Sequence, residues 1–113
     1  MDVPQSARPV HEVIANLFRV LGHPARVRIL ELLRDSERSV GALQAELELD
    51  SGAASQQLAA LRGIGVVQAR REGTSVYYRV DDKRVFDLLG AGRDIIGHQL
   101  AAQQSILREF ESA

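Results

Sequence analysis

The segment from Asp50 to Arg62 constrains the fold of this chain most, because its two faces differ in chemistry. Ala54, Leu58 and Leu61 recur at i, i+4 and i+7, which predicts a helix with one apolar stripe facing a core. The opposite face is small or neutral apart from one terminal cation, and consists of Gly52, Ala53, Ser55, Gln56, Ala59 and Arg62.

A face of this kind favours close approach to another surface. A solvated helix face usually carries Glu and Lys pairs, whereas Ser, Gln and Ala can approach base edges and hydrogen-bond to them without a strong charge. Asp50 or Ser51 is suited to cap the N-terminus of the helix. Two interpretations stay open at this point: a helix that enters a DNA groove, and a small-residue helix that packs against another helix.

The residues before this helix predict a second, shorter helix joined to it by a tight turn. Ser39 follows a polar turn over residues 36–39 and can cap a helix with Val40, Leu43 and Leu47 on its apolar side. Only residues 48–50 connect the two helices, which is the pattern of a helix-turn-helix.

The residues after this helix predict a β-hairpin. Gly63 and Gly65 supply positive φ angles that end the helix. The apolar pattern then changes to period two in residues 66–71 and 75–80, with a turn at residues 72–74. A basic hairpin directly after a helix-turn-helix forms a winged helix, in which the hairpin contacts the DNA backbone or the minor groove.

The N-terminal part predicts a flexible arm over residues 1–10, followed by one domain over residues 11–113 that combines DNA binding and dimerisation. The first helix covers residues 11–21. A second helix starts at Pro24, capped by His23, and runs to about Arg34 as the central core helix, with Arg26 and Arg28 as its exposed charges.

The C-terminal part predicts a last helix from Asp82 to the end of the chain, with a kink or break near Gly90 and Gly92. Its apolar stripe is longer than one small core can cover. We therefore expect the first and last helices to form the interface of a two-fold homodimer, which places two reading helices about 34 Å apart.

Composition and charge exclude several classes of protein. The chain has 113 residues and no cysteine, so it forms no disulfide and no thiolate metal site. No long uncharged segment occurs, which predicts a cytoplasmic protein without membrane contact. The net charge is only −1, but residues 50–80 carry four arginines against two acids and form a mildly cationic segment. No nucleophile–base pair or phosphate loop has usable spacing, so we expect no enzyme.

Three motifs resemble those of the ArsR/SmtB family of bacterial winged-helix regulators. They occur in order as Leu21-Gly22-His23-Pro24-Ala25-Arg26-Val27-Arg28-Ile29-Leu30, Ser55-Gln56-Gln57-Leu58 with Leu61, and Arg71-Glu72-Gly73 with Val76-Tyr77-Tyr78. The resemblance implies a mostly α fold with a β-hairpin wing, in the order α-α-α-α-β-β-α, and a homodimeric regulator that binds double-stranded operator DNA. It also implies base-facing positions at Ser51, Ala53, Ser55 and Gln56, and wing contacts from Arg70, Arg71 and Thr74. Gly52 and Ala54 depart from the family, which often has Ser and Val there.

The family's sensing sites are altered in this chain. Its thiolate pair falls on Ser39 and Gly41, and its site on the last helix falls on Asp82, Arg84, Ile95 and His98, of which only the first and last can bind a metal. A cysteine-free site across the dimer interface remains, formed by His11, His98, Asp94 and Glu12. Such donors suit nickel, zinc or cobalt. The cysteine-free composition and the length of the chain resemble those of a nickel-responsive subgroup, the SrnR type. The alternative is that both histidines are solvated surface residues.

The sequence therefore predicts a dimeric, sequence-specific DNA-binding transcription regulator that responds to a metal or another effector. The alternatives are a winged-helix module that binds protein, and a regulator that senses no metal directly. A regulatory partner protein is compatible with either. We expect an effector to act by changing the distance or mobility of the two reading helices.

Overall fold

A computed structural model of the chain describes residues 8–112 and contains five helices and three strands within them. The elements are α1 (Arg8–Leu21), α2 (Pro24–Leu32), β1 (Arg38–Ser39), α3 (Val40–Leu47), α4 (Ser51–Gly63), β2 (Gln68–Glu72), β3 (Ser75–Arg79) and α5 (Arg84–Ser112). They fall into two compact units, Met1–Asp82 and Lys83–Ala113. The predicted mostly helical fold with a hairpin wing is confirmed.

Three of the helices begin where a side-chain atom accepts a hydrogen bond from a backbone N–H of the first turn. Asp50 Oδ1 accepts from the N–H of Ala53 at 2.8 Å, Ser39 Oγ accepts from Ala42 at 3.1 Å, and His23 Nδ1 accepts from Ala25 at 3.1 Å. Each acceptor satisfies a donor that has no intrahelical partner. The caps predicted for α2, α3 and α4 are therefore confirmed, with Asp50 rather than Ser51 as the cap of α4.

The core of the first unit is built from one apolar face of each helix and from the ends of the hairpin. The buried side chains are Leu21, Ile29, Leu30, Leu33, Leu43, Ala54, Leu58, Leu61, Val67 and Val80. The stripe predicted for α4 is buried in full. This burial fixes which face of α4 points outward.

The sheet is three-stranded and antiparallel, with β3 between β1 and β2. In β2 and β3, Gln68 faces Arg79 and Glu72 faces Ser75, so the hairpin closes over a two-residue turn. Strand β1 was not predicted, because two residues are too short to show a period; it pairs through Arg38 with Tyr78 and through Ser39 with Tyr77. This third strand supports a hairpin that would be marginal alone.

Positive φ angles occur at three described turns. Gly73 (φ 62°) lies in the hairpin turn, and Gly65 (φ 77°) lies after α4, as predicted. Gly63, however, is the last residue of α4 and has no positive φ. The turn between α3 and α4 instead uses Glu48 at φ 55°, a conformation that costs a non-glycine residue roughly 1–2 kcal/mol.

Several predicted boundaries need correction. Helix α1 begins at Arg8, so residues 8–10 of the predicted arm are helical; the rest of the arm lies outside the described residues. Helix α2 ends at Leu32, and Arg26 is half-buried rather than exposed, because it forms hydrogen bonds described below.

The second unit is a single helix, α5, which begins at Arg84 rather than Asp82 and continues without interruption to Ser112. The predicted break near Gly90 and Gly92 is wrong, because strong helix formers around them continue the hydrogen-bond pattern. None of the described helices is both long enough and apolar enough to cross a lipid bilayer.

The cap of α4 makes a specific prediction for stability. Asp50→Ala should lower the free energy of unfolding by about 1 kcal/mol, because it leaves the Ala53 N–H without its acceptor. Asp50→Asn retains an acceptor oxygen and should cost far less. Urea unfolding at one fixed protein concentration measures both variants; equal losses in the two would contradict the cap.

Candidate nucleic-acid interface

The outward face of α4 is a continuous exposed surface of small and neutral side chains. Ala54, Leu58 and Leu61 are buried, so the rotation of the helix about its axis is determined by the core. The residues exposed on the opposite side are Ser51, Gly52, Ser55, Gln56, Ala59 and Arg62. We call this set the α4 outer face.

The α4 outer face carries hydrogen-bonding groups with only one charge. Ser51, Ser55 and Gln56 supply hydroxyl and amide groups. Arg62 lies in the last turn, where a cation interacts favourably with the helix dipole. The absence of long charged side chains in its N-terminal two turns lets another surface approach the backbone closely.

Ala53 is less exposed than the residues of this face. Its side chain is half-buried, and its backbone N–H is used by the Asp50 cap. Ala53 lies three residues before Gln56, so it is about 60° from Gln56 around the helix, at the edge of this face. Of the four base-facing positions that the family resemblance implied, Ser51, Ser55 and Gln56 are exposed and Ala53 is half-buried.

The two faces of the hairpin differ. Val67 and Val80 are buried at its base, on the face that also carries Ala69, Arg71 and Tyr78. The other face carries Gln68, Arg70, Glu72, Tyr77 and Arg79, and it is continued by Ser39 of β1. Arg70 and Arg71 therefore lie on opposite faces of the hairpin, as the period-two pattern of residues 66–71 requires.

Arg70 is held by its neighbours on that second face. Its Nε lies 3.0 Å from both Glu37 carboxylate oxygens, its Nη2 also bonds to Glu37, and its Nη1 lies 2.8 Å from Glu72 Oε2. Its guanidinium also stacks 4.6 Å from the centre of the Tyr77 ring. The hydrogen bond from Arg70 lowers the pKa of Glu37 below its ordinary value, and the bond to Glu37 raises the pKa of Arg70.

The remaining polar wing residues differ from one another in their contacts. Arg71 and Thr74 are exposed, and within residues 8–112 no ion pair involves Arg71. Arg79 pairs with Asp81, with Nε 2.9 Å from Oδ1. Neither Glu37 nor Tyr77 was predicted to contact Arg70. Tyr77 faces Arg70 across the β2–β3 hairpin, whereas Glu37 approaches it from the segment just before β1, which no local pattern reveals.

The four predicted metal ligands are all exposed, and two of them lie in each of the two units. His11 and Glu12 are neighbours in α1, about 100° apart around that helix. Asp94 and His98 lie one turn apart on the same side of α5. In the described part of one chain, no three His, Cys, Asp or Glu side chains come together as a metal-binding group.

Comparison with known proteins places these features in a family. The model of "Bacterial regulatory protein, arsR family" matches residues 23–69, which include α2, α3 and α4. An uncharacterized HTH-type transcriptional regulator of Mycobacterium tuberculosis, Rv0081, is 37% identical over 107 residues, 94% of each chain. The biofilm growth-associated repressor of Agrobacterium fabrum is 38% identical over 78 residues, 69% of this chain and 67% of the repressor.

Solved structures agree with this comparison. The crystal structure of M. tuberculosis Rv0081 has a TM-score of 0.77 and 41% identity, covering 84% of this chain and 96% of that one. The solution structure of the homodimeric winged helix-turn-helix DNA-binding domain of Mb0332 from Mycobacterium bovis has a TM-score of 0.76 and 31% identity, covering 87% and 91%. The chain therefore belongs to the ArsR family of bacterial helix-turn-helix transcription regulators, as its motifs predicted, and not to a class of enzymes.

Proposed function

We propose that this regulator acts in the cytoplasm as a homodimer that binds a specific double-stranded operator through the α4 outer face. The observation that carries the proposal is the outward presentation of Ser55 and Gln56 by a helix whose opposite side is fully buried. A rigid, neutral, hydrogen-bonding face of this kind matches the donors and acceptors of base edges in the major groove.

The chemistry of each residue suggests its partner on DNA. The amide of Gln56 can donate and accept at once, which suits the N6 and N7 atoms of adenine, and the hydroxyls of Ser51 and Ser55 suit either a base edge or a phosphate. Arg62, at the other end of the helix, carries the charge that a phosphate requires.

The exposed apolar residues of α1 and α5 support a dimer. In α1 these are Val10, Val13, Ile14 and Phe18, with Val13 68% exposed. In α5 they are Ile95, Ile96, Leu100, Ile106, Leu107 and Phe110, with Phe110 78% exposed. Apolar surface of this extent marks an interaction site, and the Mb0332 domain, which this chain resembles, is homodimeric.

A groove beside α1 extends the first of these faces. It has a volume of about 370 Å³ and is lined by Val13, Ile14, Asn16 and Leu17 of α1, with Gly63 and Ile64 at the end of α4. A second subunit that covers α1 would also cover this groove. The two-fold axis of such a dimer would present two α4 helices to successive major grooves of DNA.

In the wing, we propose that Arg71 and Thr74 contact the DNA backbone, and that Arg70 acts differently. The guanidinium of Arg70 is already occupied by Glu37 and Glu72, whereas Arg71 has no such partner in the described residues. Arg71 is therefore the cation available to a phosphate.

A protein-binding winged helix is the competing proposal. The net charge of −1 favours it, because no general excess of cations attracts the chain to DNA. The two proposals differ in salt dependence, since only DNA binding releases counterions and weakens steeply as salt rises.

We further propose that operator binding responds to nickel or zinc through His11, His98, Asp94 and Glu12 contributed by two subunits. The Asp94–His98 pair supports this, because both donors lie on one side of α5. Oxygen and imidazole nitrogen donors suit these ions. A nickel-responsive role of the SrnR type is the narrowest form of this proposal.

The base-reading role can be tested with a duplex selected from a random library. Ser55→Ala and Gln56→Ala should each weaken binding to that duplex by about 1–3 kcal/mol per lost base contact, and relax the sequence preference. Gln99→Ala makes the same change of residue type on α5 and should leave the preference intact. Unchanged affinity in the Ser55 and Gln56 variants, or no binding at low salt, would overturn the proposal.

The wing proposal predicts that substitutions of the neighbouring Arg70 and Arg71 change the salt dependence of DNA binding by different amounts. Arg71→Gln should reduce the slope of log affinity against log salt by about 1, because one phosphate contact is lost. Arg70→Gln should reduce it less, since its charge is already neutralised by Glu37 and Glu72. Fluorescence anisotropy over a salt series measures both slopes, and a larger change for Arg70→Gln would refute the assignment.

The metal proposal is tested by calorimetry with nickel, zinc and cobalt. His98→Ala and His11→Ala should each weaken metal binding by the purified dimer, and both should reduce the change in operator affinity that metal produces in the wild type. If metal changes operator affinity equally in all three proteins, these histidines are not its ligands.

A further inference from the structure

Arg26 connects two helices that are far apart in sequence. Its Nε donates to Gln57 Oε1 at 2.8 Å, and its Nη1 donates to the backbone carbonyl of Val20 at 3.1 Å. Both bonds are partly buried. One side chain on α2 thus bonds to the end of α1 and to the middle of α4.

The bond to Val20 satisfies a group that the end of a helix leaves open. Val20 is the penultimate residue of α1, and the last four carbonyls of a helix lack an intrahelical partner. A guanidinium at this end also interacts favourably with the helix dipole. The planar fork of arginine can hold this carbonyl and a second acceptor at the same time, which the single ammonium of lysine does less well.

The bond to Gln57 lies beside the α4 outer face. Gln57 is half-buried, on the flank between that face and the buried stripe, and it directly follows Gln56. A bond at this position resists rotation of α4 about its axis. Such a rotation would move Ser55 and Gln56 relative to any bound surface.

The position of Arg26 within its own helix indicates that these contacts matter. It lies in the first turn of α2, where the helix dipole disfavours a cation. Arg28, two residues later on the same helix, is exposed and has no hydrogen bond or ion pair described within residues 8–112. Arg28 therefore carries the same charge without the same contacts.

We propose that Arg26 is a positioning residue that couples α1 to the DNA-reading helix, so that the state of α1 determines the orientation of the α4 outer face. This inference rests on the proposed operator binding. Because α1 carries an exposed apolar face, a second subunit that covers this face changes the environment and the position of α1. Arg26 links that change to Gln57 and hence to Gln56.

The experiment compares operator affinity in Arg26→Gln, Gln57→Met, the double variant and Arg28→Gln. Coupling between two sites typically changes affinity by about 5- to 150-fold, so the first two variants should each bind the selected duplex at least about fivefold more weakly. The double variant should bind the duplex no more weakly than the weaker-binding single variant, because both substitutions break the same Arg26–Gln57 hydrogen bond. Arg28→Gln should stay within about twofold of wild type.

Two further readouts separate positioning from other roles. The salt slope of Arg26→Gln should equal that of the wild type, since Arg26 does not bind phosphate. Amide hydrogen exchange should accelerate in α4 and in the last turn of α1 for Arg26→Gln, but only in α4 for Gln57→Met, which retains the bond to Val20. Each affinity is corrected for the fraction of protein that is able to bind DNA, and it is measured at a temperature at which every variant is folded. Lost stability alone then does not change the affinity.

The outcomes are distinguishable. If the wild type does not bind DNA, the proposed function fails. If the wild type binds and Arg26→Gln behaves like Arg28→Gln, or if the two single losses add fully in the double variant, the coupling through Arg26 is wrong. A salt slope lowered by about 1 would instead make Arg26 a phosphate contact.

Discussion

Burial of one side of α4 is the interaction on which the rest of this structure depends. Ala54, Leu58 and Leu61 are almost wholly removed from solvent, and full burial of each leucine stabilises the fold by about 1.5–3 kcal/mol. Because these side chains pack in the core, α4 has only one stable orientation about its own axis. The hydrogen-bonding groups of Ser55 and Gln56 then point outward because the core occupies the other side.

The contacts around α4 preserve that orientation from several directions. Asp50 caps its N-terminus, and Arg26 holds its middle through Gln57. On the wing, Glu37 binds Arg70 from the loop before β1, which ties the hairpin to the segment that leads into α3. An exposed ion pair is usually worth little, but a carboxylate that bonds twice to one guanidinium has the geometry in which it contributes.

The charge distribution of the wing follows from these contacts more than from composition. Arg70 and Arg71 are adjacent in sequence and chemically identical, yet their side chains lie on opposite faces of the hairpin. Both are exposed, but Arg70 meets two carboxylates and a tyrosine ring, whereas Arg71 has no ion pair within residues 8–112. Counting basic residues in a wing therefore overstates the number of cations that lack a carboxylate partner.

Local patterns in the sequence alone determined much of this protein: the buried stripe of α4, the caps at His23, Ser39 and Asp50, and the hairpin turn at Gly73. Each depends on residues within one or two turns of one another, so periodicity and side-chain chemistry reveal it. Only the tertiary structure decided that two residues of β1 join the sheet, that Ala53 is half-buried, and that Arg26 and Arg70 are bound. The bonds of these two arginines to Gln57 and Glu37 span 31 and 33 residues. No local pattern predicts such partners, because they meet only after the helices and strands have packed.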